Sequence, residues 1–331
     1  ILGVAVVAFS NLELGSTSAG IYRTNDQGEF EKLTNIEGTT KRSLTINPQR
    51  IVFFEGDSQV MYTYSQTQGV YQSENGGDSW KQIFNTSKQG IRLTNIAVHP
   101  RNQDIIYAGG QKRNRARVYK TEDGGETWLE VYVEPVPNAQ VRGMVINADD
   151  PDQITVALNT GVLLRTNNAG SKWFLLANRN ELVPQDLRAH PQNDNIVYLI
   201  TDPALHVSTN NGKSFVRRKF PIEDPSTIRV NPNDGDQIYV GGMGELYRTL
   251  DRGKTWNELD ILTPNREGLV RSIAIAPENS RVIYYGIRNV LYFSEDGGRS
   301  WRTRELNLGG NIIDQILIDP ANRDTLFLGV R

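Results

Sequence analysis

Cysteine is absent from all 331 residues, which excludes disulfides, thiolate metal ligation and a cysteine nucleophile. Within these residues it also removes the cysteine that a lipidated bacterial N-terminus would need. Histidine is scarce. Of the three, His99 and His190 fall at equivalent turn positions of a repeat and His206 stands alone, so no metal set can be assembled from them. Charge of either sign is not in excess, with 36 Lys plus Arg against 38 Asp plus Glu. That balance argues against general affinity for nucleic acid or an anionic membrane, while permitting a local patch. Long hydrophobic runs are missing too. The apolar opening Ile1–Phe9 is too short to span a bilayer and has neither an initiating Met nor a basic flank. It reads either as the end of a signal or anchor segment or as an ordinary strand. Residues 1–19 are therefore set apart as a lead, and 20–331 as one domain.

Catalytic and nucleotide motifs are equally absent. There is no Walker loop and no Gly-x-Ser-x-Gly elbow. The glycines of Tyr239-Val-Gly-Gly-Met-Gly244 follow a strand but precede another strand rather than a helix, so they do not form a dinucleotide loop. Aromatic residues sit at repeat positions, not along a track on which bases could stack. No cofactor is implied.

What the chain does have is repetition. One pattern runs Ser or Thr, any residue, Asp or Asn, any residue, Gly, two more residues, then Trp or Phe. It occurs as Ser73–Trp80, Thr121–Trp128, Thr166–Trp173, Ser208–Phe215, Thr249–Trp256 and Ser294–Trp301, with a shorter first copy at Thr24–Phe30. The acidic or amide positions are Asp26, Asn75, Asp123, Asn168, Asn210, Asp251 and Asp296. Such a box is a turn: the Ser/Thr and Asp/Asn side chains bond nearby backbone N–H groups, Gly supplies φ > 0, and the aromatic packs under the hairpin and ties the turn to the core. A role shared by every repeat is a folding role, so these carboxylates are structural.

A second pattern runs out of phase with the first. It is an alternating strand closed by a turn, as in Leu44-Thr-Ile-Asn-Pro48, Ile96-Ala-Val-His-Pro100, Leu187-Arg-Ala-His-Pro191, Ile228-Arg-Val-Asn-Pro232, Ile273-Ala-Ile-Ala-Pro277 and Ile316-Leu-Ile-Asp-Pro320, with Met144-Val-Ile-Asn147 completing seven. A second strand follows each. Four short strands per period of roughly 40–50 residues, without helical periodicity, predict an all-β, seven-bladed β-propeller of four-stranded antiparallel blades. The offset of the two patterns leaves outer strands at the N-terminus and an inner pair at the C-terminus, so pairing the termini closes the ring. Val4–Phe9 and Thr325–Val330 both read as a second strand, and the closing blade needs only one.

The boxes resemble the Asp-box (bacterial neuraminidase repeat) propeller superfamily across nearly the whole chain. Its members include sialidases, xyloglucan-degrading glycosidases, sortilin-type receptors and photosystem II stability/assembly factors. A regular single ring of seven is most similar to the assembly-factor group, whose members are non-enzymatic chaperones. The resemblance implies a scaffold that binds another protein, such as a membrane complex or an acidic, extended segment. It also implies an extracytoplasmic setting, secreted or tethered through the N-terminus. The lipidated cysteine or transit peptide typical of that group is not seen. The alternative is a glycan-active or glycan-binding propeller. Against a sialidase stand the missing Arg-Ile-Pro signature and the six blades of that family. Against a glycosidase stands the need for two matched carboxylates, which xyloglucanases place between two propellers.

Ligand sites of propellers lie around the channel on the face opposite the boxes. Six residues before each Pro-turn the inner strands carry Arg42, Thr94, Arg142, Gln185, Ser226, Arg271 and Asp314, and the next level holds Ser43, Asn95, Gly143, Asp186, Thr227, Ser272 and Gln315. The rim arginines Arg42, Arg142 and Arg271 suit carboxylate, sulfate or phosphate, or a partner's acidic side chains. They could equally pair locally with the channel-mouth acids Asp186 and Asp314. The same face carries Gln111–Arg117, whose Lys112, Arg113, Arg115 and Arg117 either join the rim as one basic face or form a solvated hairpin tip.

Overall fold

A computed structural model describes residues 19–25, 28–33, 35–37, 48–55, 57–178, 182–263 and 268–331. Among them, twenty-eight strands form seven four-stranded antiparallel sheets and no helix occurs. Each sheet is a blade of a β-propeller. Blade one comprises Arg50–Phe54, Asp57–Ser65, Gly69–Ser73 and Lys81–Asn85 from the channel outward. The inner strands of blades two to six are Ile91–His99, Val141–Ile146, Pro184–His190, Thr227–Asn231 and Val270–Ala276.

Blade seven is shared by the two ends of the chain. Its inner pair is Ile313–Ile318 and Leu326–Val330, its outer pair Gly20–Thr24 and Phe30–Leu33. Gly20 faces Val330 and Tyr22 faces Leu328 in antiparallel register. The closure expected from the offset of the motifs is therefore present, and Leu326–Val330 is the second strand of that blade. The competing segment Val4–Phe9 lies outside the described residues.

A propeller blade cannot bury both faces by itself, so the core has to lie between blades. The apolar residues divide into seven clusters, one at each junction. Ile21, Leu317 and Phe327 of blade seven meet Ile51, Met61 and Trp80 of blade one, for example. Second-strand tyrosines cross the same junctions. Tyr62 Oη donates to the Gln103 carbonyl at 3.1 Å, and Tyr198 Oη to the Gly235 carbonyl at 2.8 Å, each reaching the following blade.

The boxes join third to outer strands as uniform turns. In each fully described box the Gly N–H donates to the leading Ser/Thr hydroxyl, at 2.8 Å for Gly77 to Ser73 and 2.9 Å for Gly125 to Thr121. The Asp or Asn Oδ1 accepts the amide four residues on, at 2.9 Å both for Ser79 to Asn75 and for Thr127 to Asp123. Gly77 has φ of +93°, open to glycine and strained for other residues. The aromatic reaches backwards rather than under its own hairpin: Trp128 stacks on Phe84 of the preceding blade at 4.4 Å and donates to the Ile83 carbonyl at 2.9 Å. In the short first copy Asp26 lies outside the described residues, and Asn25 Oδ1 accepts the Glu29 amide at 2.9 Å.

Blade one corrects the sequence reading. Its inner strand was expected at Leu44-Thr-Ile-Asn-Pro48, yet Arg50–Phe54 occupies that place and turns back at Phe54 and Asp57. Residues 38–47, Arg42 and Ser43 among them, lie outside the described residues. The true turn has no proline to mark it, whereas the segment before it does.

Candidate functional site

Alternate residues of each inner strand face the channel, because side chains of a strand point to opposite sides. Strand pairing sets the levels. Arg50, paired with Tyr64, stands at the level of Asp186, paired with Ile200, and of Thr227, paired with Gly241. Two residues deeper, Arg188 and Arg229 stand opposite Tyr198 and Tyr239. The equivalent positions elsewhere are Val52, Ala97, Val145, Ala274 and Leu317. At the rim, Gln49 takes the place expected for Arg42, beside Arg142, Arg271 and Asp314.

Many of the polar channel residues stitch neighbouring blades together. Thr94 Oγ1 donates to the Val141 carbonyl at 2.7 Å, and Ser226 Oγ to that of Val270 at 2.5 Å. The Ile316 amide donates to Ser272 Oγ at 2.8 Å, and the Ile51 amide to Gln315 Oε1 at 2.7 Å. Gly143 is the one position of its level without a side chain. A Cβ there would lie 2.3 Å from the Leu187 amide nitrogen, so glycine lets blades three and four approach.

The arginines behave differently. A cavity of about 540 Å³ at the channel mouth is lined by Arg50, Arg142, Arg188, Arg229, Arg271 and Arg331, against two carboxylates, Asp186 and Asp314. Each carboxylate is already engaged: Asp186 with Arg188 at 2.5 Å, Asp314 with Arg331 at 2.5 Å. Among the described residues no ion pair or hydrogen bond is made by the guanidinium groups of Arg50, Arg142, Arg229 and Arg271. The Nε atoms of Arg142, Arg188 and Arg229 are buried without an acceptor. Burial, reinforced by the charge of Arg188, holds Arg50 down to about 10; burial, with Arg188 and Arg50, does the same to Arg229. A half-buried guanidinium is costly without an anion beside it, and three of these, Arg50, Arg142 and Arg229, share one cavity with the exposed Arg271.

Two openings adjoin this cavity. A cleft of about 470 Å³ runs outward between blades four and five, past Gln185, Asp202, Pro225 and Ser226. A smaller space of about 220 Å³ leads toward the turn face and shares Arg50 and Arg188 with the mouth.

The remaining sequence expectations fall around this centre. Arg142 and Arg271 line the mouth; Arg42 lies outside the described residues. Asp186 and Asp314 are the acids of the mouth, paired with Arg188 and Arg331 rather than with Arg142 or Arg271. The basic loop is a tight hairpin, with Arg113 and Asn114 at φ of +49° and +63°. Arg113 and Arg115 are exposed and Lys112 is half-buried, while Arg117 pairs with Glu130 at 2.6 Å on its own blade. None of these four lines the channel cavity. His99 Nδ1 accepts the Arg101 amide and His190 Nδ1 the Gln192 amide, so both serve their turns. Arg50, Arg188, Arg229 and Arg331 are not among the site residues expected from the repeats. Arg188 and Arg229 were legible in Leu187-Arg-Ala-His-Pro191 and Ile228-Arg-Val-Asn-Pro232, since period two puts them on the channel side.

Comparison with known proteins gives relatives of several kinds. A xyloglucanase of Hypocrea jecorina (strain QM6a) is 28% identical over 135 residues, 33% of this chain and 16% of that protein. The chain thus spans about a sixth of that curated relative's length. The xyloglucanase structure from Xanthomonas campestris aligns at a TM-score of 0.71 and 15% identity, covering 84% of this chain and 50% of that one. YCF48 bound to a D1 peptide aligns at a TM-score of 0.64 and 16% identity, covering 85% and 92%. At such identities these structures establish a shared fold. The family model for sortilin, neurotensin receptor 3, matches residues 68–183 and 203–312, more than half of the chain, and this propeller accordingly belongs to the Sortilin-Vps10 family.

Proposed function

We propose that this propeller is a non-enzymatic scaffold that captures an extended, acidic segment of another protein at its arginine-lined channel mouth. The observation that carries this reading is the imbalance in one cavity: six arginines, two aspartates, and both aspartates already paired. Guanidinium forks unmatched within the chain are suited to carboxylates brought by a partner. The cleft between blades four and five gives an extended chain a path away from the channel. A structural neighbour covering nearly all of its own length, YCF48, is solved with a D1 peptide, which supports peptide binding as a use of this fold. The exposed Arg113 and Arg115 on the same face would add attraction at longer range.

The test replaces Arg142 and Arg271 by Glu and measures binding of acidic and neutral fluorescent peptides by anisotropy. Loss of acidic-peptide binding with an unchanged circular dichroism spectrum supports the reading. Binding that survives the reversal sinks it.

The xyloglucanase relatives favour a second reading, a glycan-active propeller. Its weakness lies in the acids: Asp186 and Asp314 are each engaged by an arginine. Incubation with xyloglucan, β-glucans and sialosides, followed by product analysis, separates the two.

A further inference from the structure

Below the rim of the mouth cavity, three guanidinium groups stand where one carboxylate answers them. Arg188 and Arg229 share a level on neighbouring inner strands, and Arg50 lies one pleat nearer the rim, level with Asp186. Arg50 and Arg188 line both the mouth and the space beneath it. Asp186 pairs with Arg188 alone. The buried Nε atoms of Arg188 and Arg229 find no acceptor. Filling a channel does not require this: the other five blades place Val52, Ala97, Val145, Ala274 and Leu317 at the deeper level.

We propose that this lower part of the cavity is a binding site for a small multivalent oxyanion of the phosphate or sulfate class, held by Arg50, Arg188 and Arg229. Such an anion supplies several acceptor oxygens to planar forks and offsets the mutual repulsion of three like charges. Burial first, and the neighbouring guanidinium charges after it, lower the proton affinity of Arg50 and Arg229. The site shares the mouth cavity with the proposed capture site, but the two are tested on different residues, Arg142 and Arg271 there and Arg50 and Arg229 here.

The experiment compares thermal unfolding in inorganic phosphate and in sodium chloride at equal ionic strength. The proteins are wild type, Arg229→Gln, Arg50→Gln and, as a rim control, Arg271→Gln. Phosphate is expected to raise the wild-type melting temperature saturably above the chloride value. Either deep substitution is expected to weaken phosphate affinity at least about tenfold, and Arg271→Gln to leave it unchanged. In chloride alone Arg229→Gln should be as stable as wild type or more so, because a repulsion is gone; a merely structural arginine would instead make the variant weaker in both salts. Phosphate line broadening in ³¹P spectra of the wild type gives a readout that needs no variant to fold. The proposal is overturned if phosphate acts no differently from chloride, or if Arg229→Gln and Arg50→Gln respond as the wild type does.

Discussion

The amide of Leu326 donates to the hydroxyl of Thr24 at 2.8 Å, across 302 residues of chain. This bond belongs to the blade in which the last strands of the chain meet the first, and the ring it closes is expected to unfold as one cooperative unit. Phe327, buried in that blade and edge-on to Phe53 of blade one at 5.3 Å, is the side chain best placed to test it. Phe327→Ala is expected to cost about 3–5 kcal/mol. Urea unfolding should show one transition moved to lower concentration, with its slope unchanged. A separate early transition would mean that the closing blade melts alone.

The boxes carry a pH signature. Hydrogen bonds from Thr249, Thr255 and nearby amides outweigh burial and hold Asp251 down to about 2; equivalent bonds hold Asp123 and Asp296 lower still. A carboxyl whose folded value lies below its unfolded value of about 3.9 stabilises the fold above that value. The contribution disappears as pH falls through the folded value. Acid titration followed by tryptophan fluorescence should therefore show stability falling from about pH 4 downward. Replacing Asp123, Asp251 and Asp296 together by Asn should flatten that fall while preserving the turns, since Asn75, Asn168 and Asn210 already make the same bonds.

Loss of the leading hydroxyl is a different matter. Thr121 is 1% exposed, and its Oγ1 accepts the Gly125 amide at 2.9 Å. Thr121→Val leaves that amide without its acceptor in a packed site, for a loss of about 1–3 kcal/mol in chemical denaturation at neutral pH.

Close approach of blades three and four depends on one missing side chain. With 2.3 Å available between a Cβ at 143 and the Leu187 nitrogen, Gly143→Ala must push two inner strands apart. A destabilisation of about 3 kcal/mol is expected, measured by thermal unfolding. Gly310→Ala, where an added Cβ meets nothing within 4 Å, serves as the comparison for space, although its φ of +90° still carries backbone strain.

If acidic segments are captured at the mouth, removing a mouth carboxylate should speed capture. Asp186→Asn leaves Arg188 without its partner and raises the local positive charge. Stopped-flow association with an acidic peptide should accelerate several-fold at low salt, the gain shrinking as salt rises. An unchanged rate at low salt contradicts the assignment of the mouth as the docking point.

Blade number and ring closure were legible because both depend on short-range patterns repeated many times. Trp128 and Gly125 announce a turn wherever they stand, and the offset between boxes and Pro-turns follows from counting. Level within the channel depended instead on long-range pairing. In blade one the segment ending at Pro48 imitates the repeat, while the strand that pairs with Tyr64 begins at Arg50 and ends at a turn without proline. The seven-residue slip hid Arg50. Arg331 was missed for a related reason: it follows the second strand of blade seven and reaches Asp314 on the inner strand beside it, a contact no local pattern encodes. Arg117 failed in the opposite sense, since a dense basic run says nothing about Glu130 standing 2.6 Å away.

The pairing of Gly20 with Val330 also has a mechanical consequence. The two strands run antiparallel, and these residues share one end of the ladder, so tension drawn between them opens rungs one at a time instead of loading all of them in shear. Gly20 and Val330 would part first, then Ile21 and Gly329, with each step bearing the whole force. A ring expected to unfold in denaturant as a unit would thus yield to a small pull at this seam, peeling from the closing blade inward.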